Sequence, residues 1–220
     1  MISSFSNNEE GVMTRYSLAE EIVNSLTHGI GTVLSIAGLA VLVVYALIYG
    51  NAWHVVSFSV FGGTLIFLYG TSTLYHGISR PEIKKWFRKL DHSAIFLLIA
   101  GTYTPFTLVT LRGAWGWTIF GIIWGLAFTG IVLEFTKISR LRKLSLAIYI
   151  FMGWLCVVAL KRILDGLTPS GFAFLLAGGL FYTSGVVFYL WRRIPHHHGI
   201  WHVFVLLGST FHYFSVLTMI

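Results

Sequence analysis

Apolar residues in this chain come in long unbroken runs, separated by short polar or basic segments, with no alternation of apolar and polar positions. Runs long enough for a helix to cross a bilayer, about 20 residues, lie at 26–49, 53–76, 92–111, 115–135, 144–161, 171–191 and 199–219. The pattern predicts an all-α membrane protein, a bundle of seven transmembrane helices. A membrane barrel is excluded, because its strands would alternate with a period of two. Residues 1–24 read as a polar tail, and 25–220 as one seven-helix domain. The tail contains Glu9, Glu10, Glu20 and Glu21 and lacks the basic start and short apolar stretch of a cleavable signal peptide. The first run is therefore expected to be a retained helix. Gly62-Gly63, Gly178-Gly179 and Pro105 fall inside spans, where lipid-embedded helices tolerate them. Gly121-x3-Gly125 fits a close-packing motif.

Lysine and arginine give the expected orientation through their bias toward cytoplasmic loops. Arg15, the cluster Arg80, Lys84, Lys85, Arg88 and Lys89, the cluster Lys137, Arg140, Arg142 and Lys143, and Arg192 with Arg193 fall on one side. Only Arg112, Lys161 and Arg162 fall on the other, a split of twelve to three. The N-terminus is thus expected inside and the C-terminus outside. Trp53, Trp115 and Trp117 on the outer side, and Trp86, Trp191 and Trp201 on the inner, read as interfacial anchors.

Composition agrees. The 220 residues are 56% hydrophobic and 10% charged, against roughly a quarter charged in a soluble domain. The net charge of +7 does not indicate nucleic acid, because the basic residues sit in loops between spans. The single cysteine, Cys156, lies within an apolar run and leaves no disulfide framework. Membrane lipids are the expected partners, and the sequence sets no oligomeric state.

Against this background the histidines stand out, since ionisable side chains in membrane helices are costly and tend to mark sites. Seven of the nine lie at the predicted inner end. His198-Gly-Ile-Trp-His202 places two imidazoles on one helical face, a spacing that suits one metal ion. His76 ends the second span at the same depth, so His76, His198 and His202 could form a three-histidine zinc site with an open fourth position. Zinc would lower the pKa of bound water to about 7. Asp91 could act as general base or as the N-cap of the third helix, and the two roles are compatible. Ser72, one turn before His76, could orient a ligand or help hold a reacting carbonyl.

Other polar residues have plainer readings. Glu20 and Glu21 suit a first helical turn. Asn24 and His28 share a face and are expected to hydrogen-bond between helices, with support of the metal ligands as the alternative. His196 and His197 read as a solvated cluster against headgroups, His92 as interfacial and His54 as a headgroup contact. His212 lies about 15 Å beyond His202 along the helix, too deep for the same metal, and is expected to make a buried polar contact.

Glu21-x2-Asn24-x3-His28, Ser72-x3-His76 with Asp91 following, and His198-x3-His202 together resemble the signature motifs of the progestin and adipoQ receptor family. The match resembles most its bacterial haemolysin III branch and covers nearly the whole chain. The resemblance implies a seven-helix fold with the N-terminus inside the bacterial cytoplasmic membrane. It also implies a zinc ion near the cytoplasmic face, with His76, His198 and His202 as direct ligands. Asp91 would contact the metal through water, with Ser72 beside it. Glu21, Asn24 and His28 fall on the motif that supports this set. Similar alkaline ceramidases imply hydrolysis of lipid amides, and the bacterial branch implies membrane-fluidity homeostasis. The large soluble N-terminal region of the eukaryotic receptors is absent from this sequence, which argues against hormone reception.

Three functions follow as alternatives: a zinc-dependent hydrolase of lipid amides or esters, a non-enzymatic sensor of membrane state with structural zinc, and a pore-forming cytolysin. The last fits poorly, because the spans are built for permanent insertion.

Overall fold

The computed structural model describes residues 16–136 and 142–220, with Arg142 and Lys143 described by their backbone alone. Glu9, Glu10, Arg15, Lys137 and Arg140 therefore lie outside the described residues. Within these bounds all regular structure is helical. Seven helices are long and apolar enough to cross a membrane: α1 (Leu18–Tyr49), α2 (Ala52–Gly77), α3 (Pro81–Leu111), α4 (Gly113–Glu134), α5 (Leu144–Gly166), α6 (Pro169–Leu190) and α7 (His197–Leu217).

Two helices begin well before the apolar runs that announce them. α1 starts at Leu18, where Ser17 and Glu20 form a reciprocal capping box and Glu20 and Glu21 fill the first turn. α3 starts at Pro81, a residue pre-set for a first helical position. Asp91 therefore sits in the third turn of α3 and is not its N-cap. The missed turns are amphipathic and highly charged, so nothing in hydropathy separates them from loop. Pro105 interrupts α3, and the chain continues as a π-helical turn over Phe106–Leu111. Thr104 and Thr107 donate their hydroxyls back to Ala100 O and Tyr103 O around this irregularity.

The helices form a ring. α1 packs on α2 and α7, α2 on α3, α3 on α4, and α6 on α7, while α5 touches α3, α4 and α6 more sparingly. Leu42, Phe58, Phe61, Leu65, Leu68 and Val205 are among the buried side chains on one side of the bundle. Phe96, Ile123, Ala127 and Met152 are among those on the other. Val33, Leu47, Val132, Val158 and Val187 point outward and are exposed, as expected of helices whose outer faces meet lipid. Trp53 and Trp117 meet edge to face, and Arg162 lies 4.9 Å from the Trp115 ring, so these anchors share one end of the bundle.

Glycine allows close approach at particular positions, not throughout. Gly121 and Gly125 have open space where a side chain would stand, so the Gly-x3-Gly match has no packing partner among the described residues. At Gly178 an added methyl would overlap the imidazole of His212 and lie 3.0 Å from Gly208 O. Gly178→Ala should therefore lower stability by about 1–3 kcal/mol through overpacking, read as a lower thermal midpoint in detergent. Gly179→Ala meets nothing within 4 Å and should be neutral or slightly stabilising. Equal midpoints for the two variants would contradict this packing account.

Candidate metal centre

Two helices supply the three histidines. His76 lies in the last turn of α2, and His198 and His202 occupy the first two turns of α7. One ligand nitrogen from each of the three lies within 4.8 Å of the others. His76 and His202 are buried and His198 is half-buried.

Partners on the far side of two rings determine which nitrogens are available. His76 Nδ1 lies 2.6 Å from Glu21 Oε2. A carboxylate only accepts, so Nδ1 carries the proton and the buried Nε2, which has no partner, keeps its lone pair. His202 Nδ1 lies 3.2 Å from Asn24 O and 3.2 Å from Thr27 Oγ1. The carbonyl again requires an N–H, which frees Nε2 of His202 for a metal. At His198, Nδ1 is buried without a hydrogen bond. Carboxylate or carbonyl behind a histidine is the usual way of fixing tautomer and ring orientation at a metal site. These donors and orphaned nitrogens fit a zinc ion.

Glu21 is itself held. Lys84 Nζ lies 3.0 Å from Glu21 Oε1 and donates to Tyr75 O and Ile78 O. Lys84 thus ties the first turn of α3 to the end of α2 and to α1. In the sequence it counts only as a topological charge, because its partners lie on other helices.

The remaining predicted residues fall nearby with altered roles. Asn24 supports His202 through its backbone carbonyl, while its side-chain Nδ2 is buried without a partner. His28 makes no hydrogen bond through either ring nitrogen. It stacks on His202 with centroids 3.5 Å apart and planes 11° from parallel. The expected Asn24 and His28 side-chain bonds are thus replaced by a carbonyl contact and a stack, because both side chains are enclosed by α2 and α7. Asp91 is buried, lies beside Ser72, and is within electrostatic reach of His76 and His92. Ser72 Oγ is buried with no well-formed hydrogen bond.

Three expectations change. His92 is half-buried, and its Nδ1 meets Glu134 Oε1 at 2.9 Å, joining α3 to α4. Glu134 is 5% exposed; an acid closing an apolar run was the available signal for it. His54 is buried and accepts from Asn51 N–H at the start of α2, with its Nε2 3.4 Å from Met219 O. It is a helix-end contact, because the C-terminal residues cover it. Trp201 lines an interior cavity beside Tyr189 and is not an interfacial anchor. His196 is exposed, and His197 is half-buried near Phe188 O. His212 places Nε2 3.1 Å from Leu175 O, the expected buried polar contact.

A cavity of about 180 Å³ runs inward from His198 and His202. Asp91, Ser72, His198 and His202 line its polar end, and Leu68, Leu98, Ile150 and Val205 line its apolar reach toward His212. It passes beside α5 and α6, where the ring is least tightly packed.

Comparison with known proteins agrees with this architecture. The family model described as "Haemolysin-III related" matches residues 16–213. "Hemolysin-3" of Bacillus cereus is 51% identical over 205 residues, covering 93% of each chain. "Hemolysin-3 homolog" of Bacillus subtilis (strain 168) is 46% identical over 202 residues, covering 92% of this chain and 95% of that one. "Monocyte to macrophage differentiation factor" of Homo sapiens is 28% identical over 205 residues, covering 90% of this chain and 83% of its own. The chain therefore belongs to the haemolysin III-related family of integral membrane proteins, within the wider progestin and adipoQ receptor group.

Proposed function

We propose that this protein is a zinc-dependent hydrolase of lipid amides or esters that serves membrane-lipid homeostasis in the bacterial cytoplasmic membrane. The observation that carries the reading is the three-histidine set, with nitrogens oriented by Glu21, Asn24 and Thr27, opening onto an apolar cavity beside a buried carboxylate. His76, His198 and His202 would hold the ion. When bound, zinc would act as a Lewis acid and lower the pKa of a coordinated water to about 7.

The chain's own groups supply the rest. The cavity admits an acyl chain and excludes bulk water from the bond to be cleaved. Asp91 accepts a proton at the polar end and can return it to the leaving group. Ser72 Oγ, buried beside Asp91 with no well-formed hydrogen bond among the described residues, can donate to the substrate carbonyl. The basic residues of the inner loops, twelve against three, favour placing this end at the cytoplasmic leaflet.

Purified wild-type protein carrying zinc should release fatty acid from at least one member of a panel of long-chain amides and esters. Removing zinc with a chelator should abolish that release. Zinc-loaded protein that is inert across the panel would favour the second reading, a regulator of membrane state with structural zinc. That reading draws support from the ligand set itself, since one ion would clamp α2 to α7.

A further inference from the structure

A second, smaller space of about 40 Å³ lies between the cavity's polar end and the surface. Arg88, Arg192 and His197 line its rim with the buried Tyr75 beside them, and Asp91 and His198 form a floor shared with the larger cavity. Arg88 stands one turn before Asp91 and His92 on α3, so all three project from one face. Arg192 stands just past the end of α6. Neither arginine forms an ion pair among the described residues, whereas Lys84 nearby is engaged by Glu21.

From this arrangement we infer that the rim is a binding site for the phosphate of a phosphate-bearing amphiphile whose chain occupies the apolar cavity. Two guanidinium groups without carboxylate partners suit a phosphate, which they can grip through paired N–H donors. Asp91 below repels an anion and so confines it to the rim. A head held there and a chain held in the cavity would lay the linkage between them across the three histidines. Only that last placement rests on the hydrolase reading; binding does not. It distinguishes a phosphate-bearing lipid from a neutral amide such as ceramide.

The test uses ligands that cannot be hydrolysed. The full chain in detergent is offered an equimolar mixture of an ether-linked monoalkyl glycerol phosphate and the monoalkyl glycerol of equal chain length. Retained ligand is then counted by native mass spectrometry. Wild type should favour the phosphate-bearing ligand by about tenfold, the effect of one charge-assisted contact. Arg88→Gln and Arg192→Gln should each bring the ratio close to one, and Arg88→Lys should recover part of it. Lys85→Gln, which changes an exposed cation outside the rim, should leave the ratio unchanged. Arg192 is exposed in a turn, so its variant carries the test even if Arg88→Gln fails to fold.

Equal retention of both ligands by wild type would overturn the proposal, as would an equal loss of selectivity in Lys85→Gln. Inorganic phosphate is the competing occupant: if it displaces the lipid at the lipid's own concentration, the rim is a free-anion site and the lipid assignment falls. Intact selectivity in a protein that releases no fatty acid would defeat the hydrolase reading and leave this one standing.

Discussion

Metal analysis of the purified protein should give about one zinc per chain, and His202→Ala should remove it. His202 is positioned by two contacts to α1, which leave Nε2 as its free nitrogen. Its loss would leave one ligand on α2 and one on α7, too few for a tight structural or catalytic site. A graded comparison separates ligation from support. Glu21→Gln keeps all three ligands but weakens the acceptor behind His76 and should reduce affinity about 10–100-fold. His202→Ala should reduce it further, to the point where zinc does not survive purification. His212→Ala supplies the folding control, because His212 is also largely buried on α7 but bonds only Leu175 O on α6. If His212→Ala loses zinc as completely as His202→Ala, the loss reports damage to α7 and the ligand assignment fails. If His202→Ala retains a full complement of zinc, the three-histidine centre is wrong.

This experiment turns on residues of differing legibility. His198 and His202 were visible as a pair because helical periodicity puts positions four apart on one face, whatever surrounds them. His76 joined them because span counting placed the end of α2 at their depth. Glu21 could be placed near a helix start, but its bond to His76 joins positions 55 apart and depends on how α1 docks against α2. No local pattern encodes that docking. Lys84 was hidden for a related reason. The first turns of α3 carry four basic residues, Lys84, Lys85, Arg88 and Lys89, with Arg80 just before, so they read as loop. The helix nevertheless begins there, because amphipathic turns can extend beyond the hydrocarbon without losing their backbone bonds.

The same shift in the start of α3 changes what Asp91 means. At a helix N-terminus an aspartate would be explained by capping. In the third turn of α3 it caps nothing, is 8% exposed, and forms no ion pair among the described residues. A carboxylate taken out of water without a cation is costly to stability. Its presence is best explained by the polar end of the cavity that it lines with Ser72 and His198. The surrounding helices would fold without it.

Asp91→Asn therefore sharpens the functional question more than any ligand variant. Asparagine keeps the shape and removes both the charge and the ability to take up a proton, so stability should hold or rise. Zinc content should remain near that of wild type, because the three histidines and their supports are untouched. Fatty-acid release should fall by about 10²–10⁴-fold, the usual contribution of a general base. Retained zinc with lost hydrolysis places Asp91 in the proton-transfer role. Retained zinc with undiminished hydrolysis would remove it from that role and direct attention to the His92–Glu134 pair, the other carboxylate group at this end of the cavity. A cell whose membrane fluidity is still controlled by Asp91→Asn protein, but not by His202→Ala protein, would show that the metal matters as a clamp between α2 and α7. In that case the carboxylate would have no part in the protein's role in the membrane.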